Sequence, residues 1–211
     1  MFDFYDAKIS VRSSVKLLPE FKGLLSMKPN RERLFRDTVF GPWLDIQSHE
    51  NDSHMMHYVL EHQVLVSNFR SDLPPIIFHI GDHWLEFGQK QFCLITGFRF
   101  GNISEKHSTM SPFFNRHFSE NKTINGFKRV TGFDLLRVLR DKNTWLKMLD
   151  EDAVRLCLLI ASELVYMGKE KRNFLTKHIM WLVDDFDAWN AFPWGEYMWD
   201  KFYQSTVCES Q

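Results

Sequence analysis

The sequence predicts an α+β fold, predominantly α-helical, with a small β-hairpin or short sheet near residues 76–87 beside a helical core. Three observations carry this. The run Val154–Val165 is apolar nearly all round, which marks a central, buried helix. Leucines at helical spacing recur before it, as at Leu135, Leu136 and Leu139. Two short apolar runs, Ile76–His79 and Trp84–Phe87, flank Gly81-Asp82, a strand–turn–strand pattern.

Along the chain, Ile9–Leu25 reads as a helix that mixes β-branched and leucine-rich stretches. Arg31–Thr38 is a second helix, stopping before Phe40-Gly41-Pro42. Ser53–Val64 is a third, capped by Ser53, with Met56, Leu60 and Val64 on one face. Pro74-Pro75 punctuates the chain ahead of the strands. Gln89–Thr96 is a short helix, and Gly97 stands where a left-handed C-cap is wanted. Gly101–Lys128 is polar and charged and reads as a long loop or insertion, with Phe113 and Phe114 its apolar knot. Phe133–Arg140 is helical. Asp150 caps the central helix, where Glu151 and Asp152 meet the positive end of its dipole, and Gly168 ends it. Phe174–Asn190 is a further helix. Pro193 starts the last one, with Met198, Phe202 and Tyr203 on its buried side. The whole of 1–211 reads as a single domain.

Composition limits the function classes. With 44% apolar residues the chain can build a core, and 20 Phe with 7 Trp imply large rings in that core or on a contact surface. Lys and Arg number 26 against 27 Asp and Glu, which disfavours a globally basic nucleic-acid binder. Cys93, Cys157 and Cys208 are scattered, so no disulfide framework is expected and a reducing compartment fits. The segment Met1–Asp6 carries acids where a signal peptide carries bases. The longest aliphatic run, Leu156–Ala161, is far short of the ~20 residues that span a bilayer. The expectation is an intracellular protein with no membrane partner.

Four groups of residues could carry chemistry. His49, His54, His57 and His62 cluster, and His54 and His57 share a helix face, but the His-Glu-x-x-His pattern of zinc helices is absent. They read as a histidine-rich surface helix. The cysteines fall in apolar runs or the polar tail, not at helix starts where a thiol is activated. Neither a Gly-x-Ser-x-Gly elbow nor a glycine-rich phosphate loop is present, and no cofactor is expected. Asp184 and Asp187 lie on one helix face and could share a divalent cation only with a further ligand from elsewhere, such as His54, His57 or His79. That arrangement would make a metal-dependent hydrolase; capping and salt bridging is the favoured reading. From Gly101 to Lys142 bases exceed acids, and Arg116, Lys122, Lys128 and Arg129 could follow a phosphate backbone. A solvated loop is the favoured reading there.

Three stretches together resemble a known group. They are Phe87-Gly88-Gln89-Lys90-Gln91-Phe92-Cys93-Leu94-Ile95-Thr96-Gly97-Phe98, the helix Leu156–Leu164, and Leu182-Val183-Asp184-Asp185-Phe186-Asp187-Ala188-Trp189-Asn190-Ala191-Phe192-Pro193-Trp194-Gly195. In this order they resemble, over about 37–203, the plant domain of unknown function found at the N-terminus of ubiquitin-like (SUMO) protease-like proteins, often borne by Mutator-like transposable elements. Phe98 replaces the commoner Leu and Trp189 the commoner Phe, and both keep a large apolar group. The resemblance implies a peptidase downstream in such proteins, so its chemistry is expected on none of these residues. It also favours the nucleus over the cytoplasm. The resulting expectation is a non-catalytic interaction or targeting module. A protein partner would bind through Trp194, Tyr197, Trp199 and Tyr203, with nucleic-acid contact secondary.

Overall fold

The computed structural model describes residues 14–46, 52–64, 74–103 and 111–207. His49, Lys106, His107, Cys208 and the start of the first expected helix lie outside the described residues. In chain order the elements are α1 (Leu17–Ser26), α2 (Pro29–Arg36), a 3₁₀ turn (Gly41–Asp45), α3 (Ser53–Glu61), β1 (Gln63–Val64), β2 (Ile76–Ile80), β3 (His83–Phe87) and α4 (Gln89–Thr96). There follow α5 (Pro112–His117), β4 (Thr123–Ile124), β5 (Phe127–Lys128), α6 (Gly132–Arg140), α7 (Lys142–Lys147), α8 (Asp150–Ile160), a π-helical turn (Ala161–Tyr166), α9 (Lys177–Leu182), α10 (Phe186–Ala191) and α11 (Trp194–Val207). The α+β, mainly helical fold read from the sequence is the fold observed. Among the described residues the chain forms two compact units, one of 52–64, 74–103 and 192–207 and one of 14–46 and 111–191.

The second of these units is built on α8. From Leu156 to Ala161 every side chain is wholly buried, as the unbroken apolar run requires. Leu18, Phe21 and Leu25 of α1, Phe35 of α2 and Leu135, Leu136 and Leu139 of α6 are buried with it. Phe21 and Phe35 meet with ring centroids 5.6 Å apart. The main chain then widens into the π turn, where the Met167 N–H reaches back five residues to the Ser162 carbonyl at 3.0 Å. α6 starts with a capping box. The Thr131 hydroxyl accepts the Asp134 N–H at 3.3 Å, and the Asp134 carboxylate accepts the Thr131 N–H at 2.9 Å.

The expected loop over Gly101–Lys128 is corrected. Its described part holds α5 and the β4–β5 hairpin, and Phe113, Phe114 and Phe118 are buried in mutual contact. Ser111 caps α5 by accepting the Phe114 N–H, and Pro112 takes the first helical position. Asn125-Gly126 turns the hairpin with both residues at positive φ, 52° and 79°. That is the type I′ turn, whose twist matches the two strands it joins.

The expected helix over Phe174–Asn190 is two helices. The Asp185 carboxylate accepts the Ala188 N–H at 2.9 Å and restarts the chain as α10, so residues 183–185 break the run. At the head of α8 the residue in the capping position is Leu149, and Asp150 lies in the first turn.

The other unit places α3, α4 and α11 with the antiparallel sheet β1-β2-β3. α3 is capped by Asp52, which accepts the Met55 N–H at 2.9 Å, not by Ser53, and it stops at Glu61 so that Gln63–Val64 joins the sheet. Ile76 and Phe78 of β2 form a small core with Trp199 and Tyr203 of α11, against which Phe87 and Phe92 pack. Gly97 closes α4 at φ 72°, as its sequence position predicts.

Candidate functional site

Among the described residues, three buried charged side chains are held in hydrogen-bonded networks. Asp152, 1% exposed, accepts from Arg116 Nε and Nη2 at 2.8 and 2.7 Å, from Arg155 Nη1 at 2.8 Å, and contacts His117 Nε2 at 2.8 Å. Burial alone pushes this carboxyl up. The hydrogen bonds from Arg116, His117 and Arg155 outweigh it and hold the group at about 2. The carboxylate therefore fastens α5 to the first turn of α8.

Glu163, in the π turn, is wholly buried. It takes the Lys169 ammonium at 2.7 Å, the Thr176 N–H at 3.0 Å and the Thr176 hydroxyl at 3.1 Å, and Lys169 also touches that hydroxyl. A lysine beside a threonine hydroxyl has the residue types of a base–nucleophile pair. Here the carboxylate engages both groups, and the trio closes the 169–176 loop onto the π turn.

Arg31 is the third such group, and sequence reasoning missed it as it missed Glu163. It is wholly buried, and its guanidinium donates to Asp150 Oδ1 at 2.8 Å and to the Trp145 and Met148 carbonyls at 3.0 and 2.6 Å. It also lies 4.8 Å from the Trp145 ring centroid. A buried arginine gives no signal in hydrophobic spacing, because its position looks polar.

The four basic residues proposed for nucleic acid are mostly occupied. Arg116 holds Asp152. Lys128 donates to the Ser119 and Asn121 carbonyls at 2.8 and 3.1 Å. The Arg129 guanidinium sits 3.4 Å from the Phe174 ring centroid. Lys122 is exposed, without such a tie among the described residues. The carboxylates are also placed. Asp184 lies 4.0 Å from Arg155, Asp185 caps α10, and Asp187 is exposed. His54 is exposed, His57 pairs with Glu61 at 3.1 Å, and His79 stacks on Trp84 with ring centroids 4.4 Å apart. Among the described residues no three His, Cys, Asp or Glu side chains stand where they could hold a metal ion. Burial pushes the Cys157 thiol up, away from the thiolate form. Cys93 is half-buried.

The rings of α11 face inward. Trp194 and Trp199 are 0% and 1% exposed, Tyr203 is buried and Tyr197 half-buried. Trp194 meets Phe192 at 4.8 Å between centroids, and Trp199 meets Phe87 and Phe92 at 5.8 and 5.6 Å. Rings so placed are spent on packing. Phe202, expected inside, is 38% exposed.

Exposed apolar residues of this unit lie on α3, as Met55, Met56 and Tyr58, and on β3 and α4. Trp84 is 62% exposed, Leu85 50%, Leu94 75% and Ile95 71%. α4 buries no residue at all: Phe92 turns toward Trp199, and Leu94 and Ile95 turn to solvent. The signal was present in the sequence, since a helix of eight residues turns one narrow face inward and Phe92, Leu94 and Ile95 span more than that face.

No helix among the described residues is long and apolar enough to cross a membrane. Comparison of the chain with known proteins finds no match among curated proteins and none among solved structures. One family model does match, over residues 70–205, which is more than half of the chain and contains β2 through the last turns of α11. The chain thus belongs to the family described as Domain of unknown function (DUF1985).

Proposed function

We propose that the chain is a non-catalytic protein-interaction or targeting module acting inside the cell. On the resemblance of its two motifs, it is of the kind that accompanies plant ubiquitin-like (SUMO) protease-like proteins, often on Mutator-like elements. The observation that carries the reading is the exposed apolar set Trp84, Leu85, Leu94 and Ile95 on one small unit. Exposed apolar side chains of this size, held on a strand and a helix of one unit, are what a protein partner covers. The engagement of Asp152, Glu163 and Lys169 in networks that hold the fold supports a role without catalysis.

The test is a capture experiment with immobilised wild-type chain and a Leu94→Ser/Ile95→Ser variant. Both positions are largely exposed, so the fold survives the change. A specific partner is expected to bind the variant at least roughly tenfold more weakly. A Phe133→Ser control, exposed on the other unit, should bind as wild type. If every retained protein binds all three forms alike, the reading is wrong.

A further inference from the structure

β3 is an outer strand of its sheet, in the order β1-β2-β3. The two-residue turn Gly81-Asp82 makes Ile80 and His83 its flanking pair, and the register continues as Phe78 with Leu85 and Ile76 with Phe87. In an antiparallel ladder these alternate residues exchange hydrogen bonds with β2. The N–H and C=O groups of Trp84 and Glu86 therefore point away from the sheet. The phase is corroborated on the far side of β2, where the His79 N–H donates to the His62 carbonyl at 2.9 Å. Among the described residues no backbone group pairs with Trp84 or Glu86 on that edge. The strand has neither proline nor lysine and no bulge, and Glu86 is its one acidic or basic residue besides His83.

We propose that this edge pairs with β3 of a second copy of the chain, antiparallel about a two-fold axis at Leu85, joining two sheets of three strands. The inference rests on the reading of this unit as a docking surface and names its partner. Charge selects both the register and the occupant. With Leu85 opposite itself, Trp84 faces Glu86 of the other copy and exchanges two hydrogen bonds with it, and the symmetry repeats them. His83 faces Phe87, and Asp82 is set toward the start of α4 of the other copy, where Lys90 stands at the positive end of the helix dipole. No like charges stand directly opposite one another. The two neighbouring registers that also use the free groups are both penalised. One centres on Trp84 and sets Asp82 against Glu86; the other centres on Glu86 and sets it against itself. The Leu85-centred pairing also covers a side chain that is half exposed.

Sedimentation equilibrium on the whole chain tests this. The mass should rise from 25.2 kDa toward twice that over concentrations on the order of 10–100 µM. Leu85→Lys, which sets two ammonium groups together at the axis, should remain monomeric with an unchanged circular dichroism spectrum. Leu85→Cys should form a disulfide-linked dimer on mild oxidation, because residues on the axis approach within disulfide reach. Glu86→Cys should link no faster than the wild-type chain with its native cysteines. Two results would overturn the proposal. One is a wild-type chain that stays at 25.2 kDa throughout with Leu85→Cys unlinked. The other is a dimer that Leu85→Lys leaves intact. If self-pairing fails but Leu94→Ser/Ile95→Ser still loses a captured partner, the docking reading stands without this dimer.

Discussion

Replacing Arg31 with Met should cost more stability than any substitution on the molecule's surface. The guanidinium is fully buried and serves three acceptors, the Asp150 carboxylate and the Trp145 and Met148 carbonyls. It thereby ties α2 to the end of α7 and the start of α8. Methionine fills the stem's volume but donates nothing, so two carbonyls lose their partner, at about 1–3 kcal/mol for each buried group. Asp150 keeps Asn30 at 2.9 Å and some solvent, so its loss is the smaller part. The expected total is about 4 kcal/mol, within the range for breaking a buried charged pair. For a chain of this length that lowers the melting temperature by about 8–16 °C. Arg31→Lys keeps the charge but cannot reach three diverging acceptors, and should fall between the two. Thermal unfolding followed by circular dichroism checks both. A melting temperature for Arg31→Met within about 3 °C of wild type would refute the assignment of this side chain as a three-way tie.

Asp152 gives a pH signature. Its folded value of about 2 is depressed below the unfolded value of about 3.9, so its stabilisation of about 2.5 kcal/mol is fully present above the unfolded value. It is lost as pH falls from about 4 through 2. The stability gap between wild type and Asp152→Asn, read by urea unfolding, should therefore be flat from about pH 7 to 5 and shrink below about 4. A gap that persists unchanged at about pH 2 would contradict this. Gly195→Ala should destabilise by about 1–3 kcal/mol, because the new methyl would lie 2.7 Å from the Arg99 carbonyl oxygen and 2.8 Å from the Phe100 ring. Gly23→Ala, inside α1 with nothing within 4 Å, should instead stabilise by about 0.5–1 kcal/mol. A chemical denaturation series on the two alanine variants distinguishes them by sign.

What the sequence disclosed follows from which physical signals are local. The all-round apolar run of α8, the hairpin at Gly81-Asp82 and the C-cap at Gly97 each depend on residues within a few positions, and each stands where expected. The Asn125-Gly126 hairpin was equally local, but its strands are two residues long and lie in a polar stretch that invites reading as a loop. Side-chain caps that restart the chain, as at Asp185, look identical to acids on a helix face until the N–H they accept is known. The site was less legible. Aromatic identity in α11 suggested contact surface, yet the same large rings are the best core fillers, and burial depends on tertiary packing that spacing does not record. The exposed residues that do carry the surface, Leu94 and Ile95, look like core in a sequence.

The family motifs have a physical meaning that bears on function. In one unit, Gln91 accepts the Gly88 N–H at 3.0 Å, and the Thr96 hydroxyl donates to the Phe92 carbonyl at 2.7 Å while accepting the Phe98 N–H at 3.2 Å. Within the same unit Gly195 donates its N–H to the Arg99 carbonyl at 2.8 Å, so the Thr-Gly motif and the Pro-Trp-Gly motif, nearly a hundred residues apart, close on one another. In the other unit, Asn190 accepts the Val39 N–H at 2.8 Å and donates to the Asp37 carbonyl at 3.2 Å. Every polar residue named here serves a cap, a turn or a chain-to-chain clamp. A pattern of that kind specifies how the chain folds and leaves the outward residues free to vary. Trp84, Leu85, Leu94 and Ile95 are outward, and Leu94 and Ile95 lie inside the Thr-Gly helix itself. On the proposed reading, the inner residues of this helix hold the fold and its large apolar outer residues meet a partner. Substitution of Leu94 and Ile95 by serine, expected to be neutral for stability and to weaken the proposed binding, is the comparison that separates the two demands.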